Sequence, residues 1–167
     1  MIIARSSRLP AILIGVVALS LAVAAVGSPQ NPNLAVVDRI IDGDSLIVRK
    51  GGSHMEIRLW GIDAPEYDQP GSRQAKRKLS ELVLGNTVSI FIKYTDKYGR
   101  QVALLTSSGV NVNEEMIVTG NSWVHDYFCR ETICRKWKVL EERARNEKRG
   151  LWQEDDPIPP WQWKRKR

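Results

Sequence analysis

Apolar and polar positions alternate with period two through the first half of the domain, and recur with helical spacing through much of the second. Period two sends successive side chains to opposite faces of a strand. Steps of three and four stack them on one face of a helix. Leu34 to Ile41, centred on Val36 and Val37, reads as a strand. Asp42-Gly43-Asp44 reads as a tight turn whose glycine is free to take a positive φ. Ser45 to Lys50 returns, with Leu46 and Val48 alternating, and Gly51-Gly52-Ser53 turns again. Glu56 to Ile62 is the third strand, where Ile57 and Leu59 alternate with Glu56, Arg58 and Trp60. Three strands joined by short turns predict a meander.

After a loop at Tyr67 to Gly71, Ser72 is expected to cap a helix over Arg73 to Leu84. Ala75, Leu79, Leu82 and Val83 share its apolar face, and Gly85 ends it. Thr87 to Tyr94 and Gln101 to Thr106 are strands on either side of a turn at Asp96 to Gly99. Asn111, with Glu114 three residues later, has the pattern of a capping box opening a short helix that ends at Gly120. A last helix from about Ile133 to Lys148 turns Trp137, Leu140 and Ala144 inward and stops at Gly150. Residues 155–167 are Pro-rich and then run Trp161-Gln-Trp163-Lys-Arg-Lys-Arg, which reads as a mobile tail. The prediction is a mainly β, α+β fold: a five-stranded Greek-key barrel of the OB type with three α-helices. Barrels of this kind commonly bind oligonucleotides.

The chain of 167 residues is long enough for one such domain, taken here as 34–154. Arg5 and Arg8 precede an uncharged apolar run from Leu9 to Val26, and small residues lie near Gly27. Residues 1–27 are therefore expected to be a cleaved signal peptide or an uncleaved membrane anchor. A linker follows at 28–33. Either alternative implies export, to the periplasm or outside the cell. Without residues 1–27 the net charge falls from +6 to +4, an excess that fits a polyanionic partner without requiring one. Cys129 and Cys134 form an even pair, which in an exported protein reads as a disulfide. On one continuous helix their Cα atoms would lie about 7.5 Å apart, too far to bridge, so the bridge is expected to staple a turn before the last helix. These two cysteines with His54 and His125 do not make a zinc site.

Candidate chemistry gathers around Arg58-Leu-Trp-Gly-Ile-Asp63-Ala-Pro-Glu66, where Gly61 and Pro65 break a strand and leave two acids on a turn. If Asp44 from upstream joins Asp63 and Glu66, three carboxylates repel one another unless a cation intervenes. A donor set of oxygens alone favours Ca²⁺ or Mg²⁺. Arg58 and Arg100 add planar forks suited to phosphate. Taken by spacing alone, these acids are either turn formers or a metal-assisted phosphodiesterase site.

Five fragments in order resemble the staphylococcal nuclease (thermonuclease) family from about Ala35 to Trp152: Ile-Asp42-Gly-Asp44-Ser, Arg58-Leu-Trp-Gly-Ile-Asp63-Ala-Pro-Glu66, Asp96-Lys-Tyr-Gly-Arg100, Val112-Asn113-Glu114 and Arg149-Gly-Leu-Trp152. The resemblance implies an OB barrel with three helices. It also implies a calcium-dependent endonuclease, with Mg²⁺ the poorer substitute, that cuts the 5′ P–O bond of DNA or RNA and leaves 3′-phosphate ends. By it, Asp44 and Asp63 ligate the metal with the carbonyl of Ala64, where the family's prototype has Thr, and Asp42 stands behind them. Glu66 is the implied general base. Arg58 and Arg100 hold the scissile phosphate, and Lys97, Tyr98 and Tyr127 contact the nucleotide. Single strands are the expected preference and a monomer the expected state. The loop after Glu66 is shorter than the prototype's and lacks its lysines. Two rival functions remain, a non-catalytic nucleic-acid-binding module and an envelope assembly protein. Relatives that lose catalysis usually lack the acids or arginines, and this chain keeps all five.

Overall fold

The structure, a computed structural model, describes residues 33–166. The expected leader or anchor, the linker as far as residue 32, and Arg167 lie outside the described residues. Three antiparallel strands open the fold: β1 (Leu34–Ile40), β2 (Ser45–Lys50) and β3 (Ser53–Leu59). After a two-residue strand β4 (Ile62–Asp63) and helix α1 (Ser72–Val83), β5 (Thr87–Thr95) pairs with the free edge of β1. β6 (Gln101–Ser107) pairs back on β5. β6 also runs parallel to β3, with Ile57 opposite Gln101 and Leu59 opposite Ala103, and this pairing closes the five-stranded barrel. Closure leaves no open edge at that seam. The alternating apolar residues meet inside: Val37, Leu46, Val48, Ile57, Leu59 and Leu105 are all buried.

Behind the barrel lie β7 (Val110–Asn111), α2 (Val112–Val118), β8 (Trp123–Val124) and α3 (Thr132–Asn146). Asn111 caps α2 by accepting from the Glu114 N–H at 3.0 Å. The capping box does not close, because the Glu114 carboxylate bonds instead to Lys136 and to Trp137 Nε1 of α3. Asn113 is fully buried. Its amide accepts from Leu105 N–H and donates to the carbonyls of Trp60 and Ala103, tying α2 to the strand end that follows Arg58. Cys129 and Cys134 are joined by a disulfide across a Cα separation of 5.6 Å, between the turn after β8 and the first turn of α3.

Four local expectations change. The third strand starts earlier, at Ser53, and ends at Leu59. Gly61, at φ 76°, bends the chain so that Ile62–Asp63 pairs separately with Trp123–Val124. Ser72 does not cap α1. Gly71 holds that position in the left-handed region, and the Ser72 hydroxyl donates to the Tyr67 carbonyl. Gly43 is required for space rather than for φ: a Cβ there would lie 2.6 Å from the Cβ of Ala64 and 2.7 Å from that of Ala75. The segment expected to be a mobile tail folds back on the domain. Its residues Pro160–Trp163 form a short helix, α4, followed by a 3-10 turn at Lys164–Lys166. The cause is an apolar seat: Trp161 packs on the cluster of Trp123, Ala144, Leu151 and Trp152.

Candidate active site

The turn between β1 and β2 and the end of β3 meet because Ser45 stands opposite Arg58 in their register. The Leu59 N–H donates to the Asp44 carbonyl at 2.8 Å, pinning the turn to the strand. The close packing of Gly43 against Ala64 brings the loop after β4 to the same point. Asp44 and Asp63 are thereby both buried, and Arg58 donates through Nη1 to Oδ1 of Asp44 and through Nη2 to Oδ1 of Asp63. Oδ2 of Asp44 accepts from the Ala64 N–H at 2.6 Å, and Asp42 accepts from the Asp44 N–H at 3.0 Å. Asp42 thus shapes the turn that aims Asp44.

Two buried carboxylates share one guanidinium, so one negative charge remains in a partly dry site. Such a charge needs a further cation or hydrogen bonds to be tolerable. The donors are all oxygen, which fits a hard divalent ion. Among the described residues no group of three or more His, Cys, Asp or Glu side chains is arranged to hold a metal. The buried side-chain oxygens gathered at this point are those of Asp44 and Asp63, and the Ala64 N–H is bonded to the first of them.

Glu66 lines the same cleft, about 620 Å³ in volume, but does not join the aspartates. Its carboxylate pairs with Lys164 Nζ at 2.9 Å. Arg100 also lines the cleft and is fixed by Asp96, which accepts from the backbone N–H groups of Tyr98 and Arg100 and from Arg100 Nε at 2.8 Å. Burial pushes the Asp96 carboxyl up, but the bonds from the Arg100 side chain and from the two N–H groups outweigh it and hold the group below the usual carboxylate range. The guanidinium carbon of Arg100 and the ammonium of Lys97 lie 5.4 and 5.0 Å from the Tyr98 ring, so these three expected residues come together. Tyr94 also faces the cleft. Burial, then the Asp96 charge, raise its phenol above the usual value against an opposing pull from Arg58, so it remains a proton donor.

Tyr127 is placed differently from expectation. It does not line the cleft. Its ring meets Phe128 edge-on at 4.9 Å and lies 4.9 Å from the Arg130 guanidinium. The turn after β8 brings His125 and Phe128 to the wall instead, through bonds from the Phe128 and Cys129 N–H groups to the His125 carbonyl. Burial lowers the His125 pKa despite the nearby Asp63 charge, keeping the ring neutral near pH 7. Sequence reasoning missed Gln69, and it read Lys164 only as part of a basic tail suited to phosphate contacts. The basic run 164–167 was a signal for the second. A glutamine in a turn gives none for the first.

The sequence matches the family described as staphylococcal nuclease homologue over residues 56–154. The chain belongs to the staphylococcal nuclease family. It is similar to an uncharacterized endonuclease of Escherichia coli O157:H7, 36% identical over 132 residues, covering 78% of this chain and 84% of that one. A micrococcal nuclease of Shigella flexneri is 30% identical over 138 residues, 77% of this chain and 79% of its own. The protein ParB of Escherichia coli is 34% identical over 158 residues, 89% of each chain. The family match includes Arg58, Asp63, Glu66 and Arg100. It begins after Asp44, which the barrel register supplies.

Proposed function

We propose that this member of a nuclease family is an exported, calcium-dependent endonuclease. It hydrolyses the 5′ P–O bond of DNA and RNA, prefers single strands and leaves 3′-phosphate ends. It works as a monomer. The observation that carries this reading is that Arg58, Asp63, Glu66 and Arg100 line one cleft, with Asp44 buried and bonded to Arg58. The relatives named for endonuclease and micrococcal nuclease activity support it. The apolar leader supports export, as does the Cys129–Cys134 bridge, since disulfides persist in oxidising compartments.

Asp44 and Asp63, with the Ala64 carbonyl, would hold Ca²⁺, which when bound polarises a phosphoryl oxygen and offsets charge on the phosphate. The substrate phosphate draws on the guanidinium forks of Arg58 and Arg100, whose donors match developing charge on its oxygens. Glu66 accepts a proton from the attacking water as the water oxygen bonds to phosphorus. The bond from phosphorus to the 5′ oxygen breaks, and that oxygen leaves as the alcohol after taking up a proton. Lys97 and Tyr98 line the cleft and would contact a terminal phosphate, and His125 and Phe128 offer rings for a base. The test is digestion of a labelled single-stranded oligonucleotide with Ca²⁺ or with excess chelator. Calcium-dependent internal cuts ending in 3′-phosphate are expected, whereas full activity in chelator or 5′-phosphate ends would overturn the reading.

A further inference from the structure

The C-terminal segment meets the loop of Glu66 at three places. The Glu66 N–H donates to Oε1 of Gln69 at 3.1 Å, and Nε2 of the same buried amide donates to the Ile158 carbonyl. Trp163 Nε1 donates to Asp68 at 3.1 Å. Lys164 Nζ reaches the Glu66 carboxylate at 2.9 Å. Beneath these contacts Pro160 is buried, and the Trp161 ring lies 4.9 Å from that of His125. A buried amide leaves a costly unsatisfied group if either partner departs. Gln69 therefore fixes residue 158 against the same loop whose backbone it holds at residue 66. The segment braces that loop, and it brings one residue, Lys164, to the lining of the cleft.

Four cations line that cleft, and they are differently engaged: Lys97 lies over the Tyr98 ring at 5.0 Å. Arg58 spends its fork on Asp44 and Asp63, and Arg100 gives Nε to Asp96. Their side chains are 19% and 28% exposed, against 53% for Lys164. A partly exposed ion pair such as that between Lys164 and Glu66 contributes little, so an arriving anion displaces it at small cost. A lysine ammonium on a flexible stem has three donors to redirect.

We propose that Lys164 is a substrate-binding residue. It pairs with a backbone phosphate of the bound nucleic acid beside the one that is cut, and this exchange takes it off Glu66. The proposal rests on the reading of the cleft as a nuclease site and of Glu66 as its base. Substrate arrival then does two things at once: it gains a phosphate contact, and it frees the carboxylate that must accept a proton. The chemical class recognised is a polyanionic strand, because a phosphate next to the scissile one exists only in an oligonucleotide. A mononucleotide aryl ester would leave Lys164 where it is.

The experiment compares wild type, Lys164→Met, Lys164→Arg and Arg165→Met. Arg165 carries the same charge one residue further on and does not line the cleft. For a single-stranded oligonucleotide, Lys164→Met is expected to raise KM roughly tenfold, as loss of one charged hydrogen bond does, with kcat within about twofold. The slope of log kcat/KM against log salt should flatten by about 0.7, one single-strand phosphate contact. Lys164→Arg should restore most of the affinity, and Arg165→Met should move neither KM nor slope by as much. Equal effects of Lys164→Met and Arg165→Met would overturn the proposal, as would an unchanged KM. Oligonucleotide binding measured by anisotropy in a Glu66→Gln background separates the two readings. If Glu66→Gln turns over normally while Lys164→Met still weakens binding, the role of Glu66 fails and this site stands. If Glu66→Gln is inactive and Lys164→Met binds as well as its parent, the reverse holds.

Discussion

Arg58 joins two carboxylates from different segments. Its planar fork places one donor on Asp44 and the other on Asp63, and a fork of this shape also matches a phosphate. Arg58→Lys should therefore cost nearly as much as Arg58→Ala, about 10²-fold or more in kcat, from loss of a transition-state donor. A lysine variant within a few-fold of wild type would show that charge alone suffices. Asp96 makes three bonds to its own turn, and its carboxyl is held below the ordinary aspartate value. A carboxylate with a depressed folded-state pKa adds stability above its unfolded value, near pH 3.9, and loses it as pH falls through the folded value. Asp96→Asn should therefore melt below wild type at pH 7, with the two melting temperatures converging as the pH drops below about 4. A gap that stayed constant across that range would contradict the ionic account of this turn.

Among the elements, the C-terminal helix α4 is the one whose removal tests most. Truncation after Pro157 takes away the Ile158 carbonyl on Gln69, the Trp161 packing and the Trp163–Asp68 bond. A buried amide left without its partner costs about 1–3 kcal/mol, which for a domain of this size lowers Tm by roughly 5 °C. Calorimetry should show that drop. Truncation after Trp163, which removes only the basic residues, should leave Tm within about 1 °C, since exposed charges of this kind contribute little to stability. Equal melting temperatures for both truncations would mean that the segment does not brace the domain. The barrel strands were legible in the sequence because Leu46, Val48, Ile57 and Leu59 alternate with polar neighbours, and α1 because Ala75, Leu79 and Val83 share a face. The seat of α4 was not legible. Trp123, Ala144, Leu151 and Trp152 come from three separate segments, and composition cannot show that they form one patch. Gly43 was legible as a glycine but not for its reason, since a missing Cβ makes room as readily as it permits a positive φ. The exchange of Tyr127 for His125 and Phe128 on the cleft wall turned on the fold of one tight turn after β8, which no periodicity encodes.

At the scale of the molecule, segments from residue 42 to residue 164 converge on one cleft. The barrel register supplies Arg58 with Asp44 buried behind it, the short β4–β8 pairing positions Asp63, the β5–β6 turn supplies Arg100, and the returning C-terminus supplies Lys164. Of the four Lys and Arg side chains that line this cleft, Arg58, Arg100 and Lys164 are each paired with a carboxylate, while Lys97 lies over the Tyr98 ring. The division of labour between metal-holding aspartates and a proton-accepting glutamate is the central claim, and calcium titration of wild type, Asp44→Asn and Glu66→Gln tests it most directly. Turnover and calcium binding are followed on the same samples. Glu66→Gln should lose roughly 10²–10⁴-fold in kcat, the usual worth of a general base, while binding calcium much as wild type does. Asp44→Asn should need more calcium as well as turning over more slowly. If Glu66→Gln loses calcium affinity as severely as Asp44→Asn, or keeps near-normal kcat, the division proposed for these three carboxylates is wrong.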